Sequence, residues 1–138
     1  MENWKGWLEE WYKEQVEVRH MLHRNPELPY EERETTRFLK QQLKDWGILV
    51  EELPGLETGV SAVIEGAHPG PMLVLREDID ALPILENTGL DFASQKPGVC
   101  HACGHDVHTA ALLYAARTLQ QLREELHGSV KLIFQCAE

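Results

Sequence analysis

Nine consecutive residues, His101-Ala102-Cys103-Gly104-His105-Asp106-Val107-His108-Thr109, carry one thiol, three imidazoles and one carboxylate directly ahead of an apolar helical run. Thiolate and neutral imidazole are the donors that suit Zn²⁺, at roughly 2.0 to 2.3 Å in a near-tetrahedral shell, so the stretch reads as a metal site. Gly104 allows the backbone to bend sharply between the two donors Cys103 and His105. A second acidic grouping, Arg76-Glu77-Asp78-Ile79-Asp80-Ala81-Leu82-Pro83, follows the apolar run Met72-Leu73-Val74-Leu75. Carboxylates at the end of a strand sit where α/β sheets usually build their sites. Two other chemistries use the same residues. Cys100-His101-Ala102-Cys103 is formally a C-x-x-C ahead of a helix, as in dithiol redox proteins. Cys100, Cys103, His105 and His108 would also close four positions around a structural zinc.

Size and charge bound the rest. A chain of 138 residues is about one domain long and can bury a real core. Its 43% hydrophobic and 26% charged residues are those of a globular protein rather than a disordered one. With 13 basic against 23 acidic side chains, the net charge of −10 repels phosphate backbones and anionic lipid, so neither nucleic acid nor a membrane surface is an expected partner. No apolar run is long enough to span a bilayer, and Met1-Glu2-Asn3-Trp4-Lys5 lacks the form of a signal peptide, which places the chain in the cytoplasm. Three cysteines, Cys100, Cys103 and Cys136, are then ligands or core residues before they are disulfides.

The elements that must position these groups follow from periodicity. Trp4 to His23 is an amphipathic helix stopped by Pro26, its three tryptophans, Trp4, Trp7 and Trp11, serving as core anchors. A second helix is predicted from about Tyr30 to Trp46, ended by Gly47, with a solvated charged face from Glu31 to Arg37. The period then turns extended. Ile48 to Leu53 and Gly59 to Ile64 are short strands separated by Pro54-Gly55, and Gly66 to Pro71 is a turn into the strand Met72 to Leu75. The strands on either side of that turn are expected to pair as an antiparallel hairpin. Asn87 to Gly98 reads as a loop, Asp106 to Leu126 as a helix with small residues for packing on a sheet, and Gly128-Ser129 as its break before the buried strand Val130 to Phe134. Strand, helix and strand in that order imply a parallel crossover.

Four stretches together resemble the M20 metallopeptidase family: Arg19-His20-Met21-Leu22-His23-Arg24-Asn25-Pro26-Glu27-Leu28, Arg76 to Pro83, His101 to Asp106, and Phe134-Gln135-Cys136-Ala137-Glu138. The branch they resemble is the amidohydrolases of N-acyl amino acids, of aminoacylase, hippurate hydrolase and auxin-conjugate hydrolase type. The resemblance implies an α/β fold, a three-layer zinc-peptidase-like mixed sheet flanked by helices. It covers roughly the first third of a family member, so residues 1–138 are expected to be a partial catalytic domain. The dimerisation domain, through which family members are often homo-oligomeric, and the rest of the catalytic domain would be absent.

Residue by residue, the resemblance makes Cys103 and His105 metal ligands, with the thiolate standing where related peptidases use an acidic ligand between two ions. It makes Glu138 the general base and Asp80 a supporting carboxylate beside the metal shell. The implied cofactor is a divalent metal, Zn²⁺ first and Mn²⁺ second, with two ions in the complete site. The implied substrate is a small N-acyl amino acid. Asp78 is balanced between a site role and simple pairing with Arg76. His20 and His23, one helical turn apart, are packing and capping residues in the family, and His108 lies at the periphery. The chain departs from the family pattern at Cys136, usually proline, and at Glu77, usually small, which adds charge near the site. The family's second glutamate and later histidine ligands do not occur within these residues. The reading is therefore metal-dependent amide hydrolysis by an incomplete enzyme, against a dithiol or structural zinc protein built on Cys100 and Cys103, or an inactive remnant.

Overall fold

A computed structural model describes residues 3–138; Met1 and Glu2, part of the stretch read for a signal peptide, lie outside the described residues. The elements are α1 (Trp4–Arg24), α2 (Arg33–Asp45), β1 (Leu49–Glu51), β2 (Val60–Glu65), β3 (His68–Asp78), α3 (His105–Gln121) and β4 (His127–Gln135), with a 3₁₀ turn at Arg123–Glu125. The strands form one mixed sheet in the order β1-β2-β4-β3. β1 and β4 each run antiparallel to β2, and β3 runs parallel to β4. The mixed α/β fold and the parallel β3-α3-β4 crossover agree with the sequence reading.

The expected hairpin between the second and third strands does not form, because β4 lies between them. The composition of the strands explains the order. Val130, Leu132 and Phe134 of β4 face Ile64, Ala62 and Val60 of β2 in register, and all six are buried. A strand that apolar is best satisfied at the centre of the sheet. β3 carries Pro69 and Pro71, which lack the N–H a central strand must donate, so it fits the edge. The turn is also shorter than expected: His68 already pairs with His127, and the register slips between His68 and Met72.

One core lies between the sheet and the helices, with Leu39 and Leu43 of α2 and Leu113, Tyr114 and Ala116 of α3 against Val60, Ala62, Leu132 and Phe134. Of the three N-terminal tryptophans only Trp11 is a buried anchor; Trp7 stacks on it at 6.1 Å and Trp4 is exposed. The Arg117 guanidinium lies 4.0 Å above the Trp11 ring, a cation–π contact that ties α1 to α3.

α2 begins three residues later than expected. Tyr30 adopts a positive φ of 63°, which cannot open a helix, and the Glu27 carboxylate then accepts the N–H groups of Glu34 (3.0 Å) and Thr35 (2.7 Å) at the true N-terminus. The predicted solvated face is also wrong in part. Glu32, Thr35 and Thr36 are buried, with Glu32 at 0% exposure.

Gly128 is a strand residue, not a helix break. Its φ is +90°, and a Cβ there would sit 2.0 Å from the Pro71 carbonyl oxygen. Replacing Gly128 by alanine is therefore expected to destabilise the fold by more than about 2 kcal/mol, since backbone of β3 and β4 would have to separate. Gly55→Ala, at φ +82° with nothing within 4 Å, should cost only about 1 kcal/mol. Thermal unfolding of the two variants checks the contrast; equal losses would contradict it.

Candidate active site

Because β3 and β4 are adjacent and parallel, their C-terminal ends lie at the same edge of the sheet. β3 delivers Asp78 there, and the chain continues to Asp80 through Ile79, whose N–H bonds the Gln135 carbonyl at 2.9 Å. The next residue, Ala81, donates its N–H to the Glu27 carbonyl at 2.8 Å. β4 delivers Glu138 just beyond Gln135. The long loop from 79 to 104 is pinched by paired backbone bonds between Leu82 and Cys100, both 3.0 Å. That pinch returns the chain to the sheet end, and Gly104, at φ +88°, turns it into α3 with His105 as the first helical residue.

His105 is the centre of the arrangement. Its Nδ1 lies 2.8 Å from the Asp80 carbonyl oxygen, which accepts only, so Nδ1 carries the proton of the neutral ring. Nε2 is left as a lone pair, 3.1 Å from Oε2 of Glu138. Two electron-rich atoms at that distance need a positive charge, either a proton on the ring or a cation shared between them. The Asp80 side chain is buried, with Oδ1 3.3 Å from the same ring and no hydrogen-bond partner. Asp78, His105 and Glu138 each offer a donor atom within 4.8 Å of one another. Asp78 accepts from Arg76 at 2.6 Å, the pairing that the sequence reading balances against a site role, while lying within this trio.

Cys103 stands one step outside that trio. It is exposed, with Sγ 3.9 Å from the Asp80 carbonyl oxygen. Burial and the nearby Asp80 and Asp106 carboxylates raise the pKa of its thiol, so a cation is what would make it a thiolate here. The Cys100 thiol is also pushed up, by burial. A reactive dithiol needs a lowered pKa, which neither cysteine has.

A polar network behind His105 was not legible as such in the sequence. Oδ2 of Asp106, fully buried in the first turn of α3, accepts from Arg19 Nε at 2.9 Å and pairs with His23 Nδ1 at 2.7 Å. His23 Nε2 reaches Glu86 Oε1 at 2.8 Å. The chain Arg19–Asp106–His23–Glu86 thus ties the end of α1 and the 79–104 loop to the start of α3. His20 stacks on Phe92 at 3.8 Å, so the two helix-one histidines pack and anchor, as the sequence reading has it. His101 is buried with both ring nitrogens unpartnered, and burial drops its pKa to about 4, leaving a neutral imidazole.

Glu77 points away from the site. Its carboxyl is buried beneath α3, accepting from Thr109 Oγ1 at 2.9 Å, and burial drives its pKa up to about 9. The expected extra charge near the site is therefore absent at neutral pH. Folded chain holds this proton between the ordinary glutamate range and about 9, whereas unfolded chain releases it, so stability falls as pH rises through that window. Glu77→Gln is expected to raise the melting temperature, and to do so more at pH 8.5 than at pH 5.5; a gap that narrows with rising pH would contradict the assignment.

Carboxylates and an imidazole gather at the ends of neighbouring parallel strands, under a helix N-terminus, where α/β sheets build their sites. Residues 74–138 match the model of Peptidase family M20/M25/M40, the segment that holds Asp78, Asp80, Cys103, His105 and Glu138. Over those residues the chain is similar to that family. It is 52% identical over 126 residues to the N-acetyl-L-cysteine deacetylase of Bacillus subtilis (strain 168), covering 91% of this chain and 30% of that protein. It is 44% identical over 120 residues to the N-acyl-L-amino acid amidohydrolase of Geobacillus stearothermophilus, covering 87% of this chain and 32% of that protein. A Bacillus subtilis crystal structure described as a dinuclear metal-binding peptidase of the M20 family superposes with a TM-score of 0.91 at 45% identity, covering 94% of this chain and 36% of that one. The chain spans about a third of the length of these relatives.

Proposed function

We propose that the protein carrying this chain is a metal-dependent amidohydrolase that cleaves the amide bond of small N-acyl amino acids. The observation that supports it most is His105, held through Nδ1 by the Asp80 carbonyl while its free nitrogen faces Glu138 beside Asp78. The donor set fits a divalent cation. His105 has the carbonyl-anchored tautomer typical of a metal ligand, Cys103 supplies a thiol, and the Asp80 carboxylate, whose Oδ1 has no hydrogen-bond partner, adds with Asp78 the negative charge that a cation would balance. In this reading Cys103 and His105 hold the metal, Zn²⁺ in preference to Mn²⁺, as one of the two ions of the family's site. When bound, the ion polarises the scissile carbonyl and lowers the pKa of water toward 7.

The chain's own groups do the rest. Glu138, exposed to solvent and adjacent to the cluster, takes the proton from the attacking water and returns it to the departing amine nitrogen. Asp80 fixes the ring plane and tautomer of His105 through its main-chain oxygen, and its buried carboxylate keeps the site negative. The substrate assignment draws on relatives named for N-acetyl-L-cysteine and N-acyl-L-amino acid hydrolysis. No helix among the described residues is long and apolar enough to cross a membrane, and the three cysteines are free. These features support a cytoplasmic enzyme acting on a small dissolved substrate.

The test is amine release from a panel of N-acetyl amino acids by the intact protein, with metal content measured alongside. Chelation is expected to abolish turnover and added Zn²⁺ to restore it. Glu138→Gln should lower kcat by about 10²- to 10⁴-fold with metal retained, whereas Cys103→Ala should lose metal. Turnover by Glu138→Gln at the wild-type rate would refute the assigned base, and metal content untouched by Cys103→Ala would refute the assigned ligand.

A further inference from the structure

Among the described residues, only two other than glycine have a positive φ: Tyr30 at 63° and Ala137 at 48°. They lie far apart in sequence, yet both donate their backbone N–H to the same atom. Oε1 of Glu32 accepts from Tyr30 at 2.6 Å and from Ala137 at 3.2 Å. Non-glycine residues persist in the left-handed region only where their surroundings over-determine them, and such residues concentrate at functional sites. Glu32 is itself an unfavourable residue to bury. Its side chain has no exposure, and burial raises its pKa even though Thr58 and the two backbone N–H groups favour its charged form. A carboxyl kept there against its desolvation, with both strained backbones attached to one oxygen, is a brace between two segments.

The strained segment at the far end of the brace is the one that aims Glu138. β4 ends at Gln135, and the left-handed turn at Ala137 sets the direction in which the next residue leaves the strand. Without it, the chain would continue along the strand and carry Glu138 away from His105 Nε2, which it now meets at 3.1 Å. We propose that Glu32 is a positioning residue for amide hydrolysis: its buried carboxyl holds the Ala137 turn and thereby places Glu138 for proton transfer. This rests on the reading of Glu138 as the general base.

The experiment compares variants of the intact protein on the fastest substrate of the N-acetyl amino acid panel, with metal content and amide hydrogen exchange of the C-terminal end of β4 measured in each. Glu32→Met, of similar length but without an acceptor oxygen, is expected to lower kcat by about 10- to 100-fold with KM and metal content little changed, and to speed exchange at the Ala137 amide about tenfold or more. Glu32→Gln, which keeps an acceptor at Oε1, should recover most of both losses. Placed on Glu138→Gln, Glu32→Met should change the residual rate by less than about twofold, because the base it positions is already gone. Ala137→Val worsens the positive φ without touching the buried carboxyl, and should reproduce the kcat-selective loss even where Glu32→Met does not fold. Full multiplication of the two losses in the double variant, a wild-type rate for Ala137→Val, or equal losses for Glu32→Gln and Glu32→Met would each overturn the proposal. A normal rate for Glu138→Gln alone would instead overturn the assignment of the base.

Discussion

Two strands that run side by side in the same direction end at the same edge of their sheet, and everything chemical in this protein depends on β3 and β4 doing so. The parallel pairing requires a crossover, and the crossover helix α3 begins at that same edge. Three segments distant in sequence thus converge without any of them needing to be long or flexible: the acid-tipped end of β3, the first turn of α3 and the residues after β4. His105 is the point of contact, with one ring nitrogen on the Asp80 carbonyl and the other facing Glu138.

Convergence alone leaves the strand ends loose, and the short connection between α1 and α2 supplies what fixes them. Glu27 uses its carboxylate to start α2 and its carbonyl to hold Ala81 beside Asp80. Glu32, a few residues on, holds Ala137 beside Glu138. One connection therefore grips both walls of the site from behind. The Arg19–Asp106–His23–Glu86 chain does the equivalent for the third wall, the start of α3. A net charge of −10 is tolerable partly because acids inside the fold accept backbone N–H groups or face cationic and imidazole partners.

The helices were legible from their 3.6-residue periodicity, and α1 and α3 start close to where the sequence places them. The order of the strands was not. Periodicity says which residues face a core, but nothing in Gly59 to Ile64 or Met72 to Leu75 announces that a later strand will come between them; the signal was present only in the prolines at 69 and 71, which disqualify β3 from the centre. The donors Cys103, His105, Asp80 and Glu138 stand out by residue type and by family resemblance. Glu32 did not, because Glu31 to Arg37 has the alternating charge of a wetted helix face. One of its partners is Ala137, more than a hundred residues away, and local patterns hold no record of a partner that distant.

The place of β4 also fixes an order of events. β2 and β3 are made one after the other and do not pair with each other, so both wait through the 79–104 loop and α3 for the strand that comes between them. Closing that distance is the slow, entropically opposed part of acquiring such a topology. When β4 does enter, it pairs with β2 on one side and β3 on the other, fills the core with Leu132 and Phe134, and carries Glu138 to His105 in the same stroke. The strand that joins the two halves of the sheet is thus the strand that brings the last carboxylate to the imidazole, so sheet closure at this point and assembly of the acid cluster are one event.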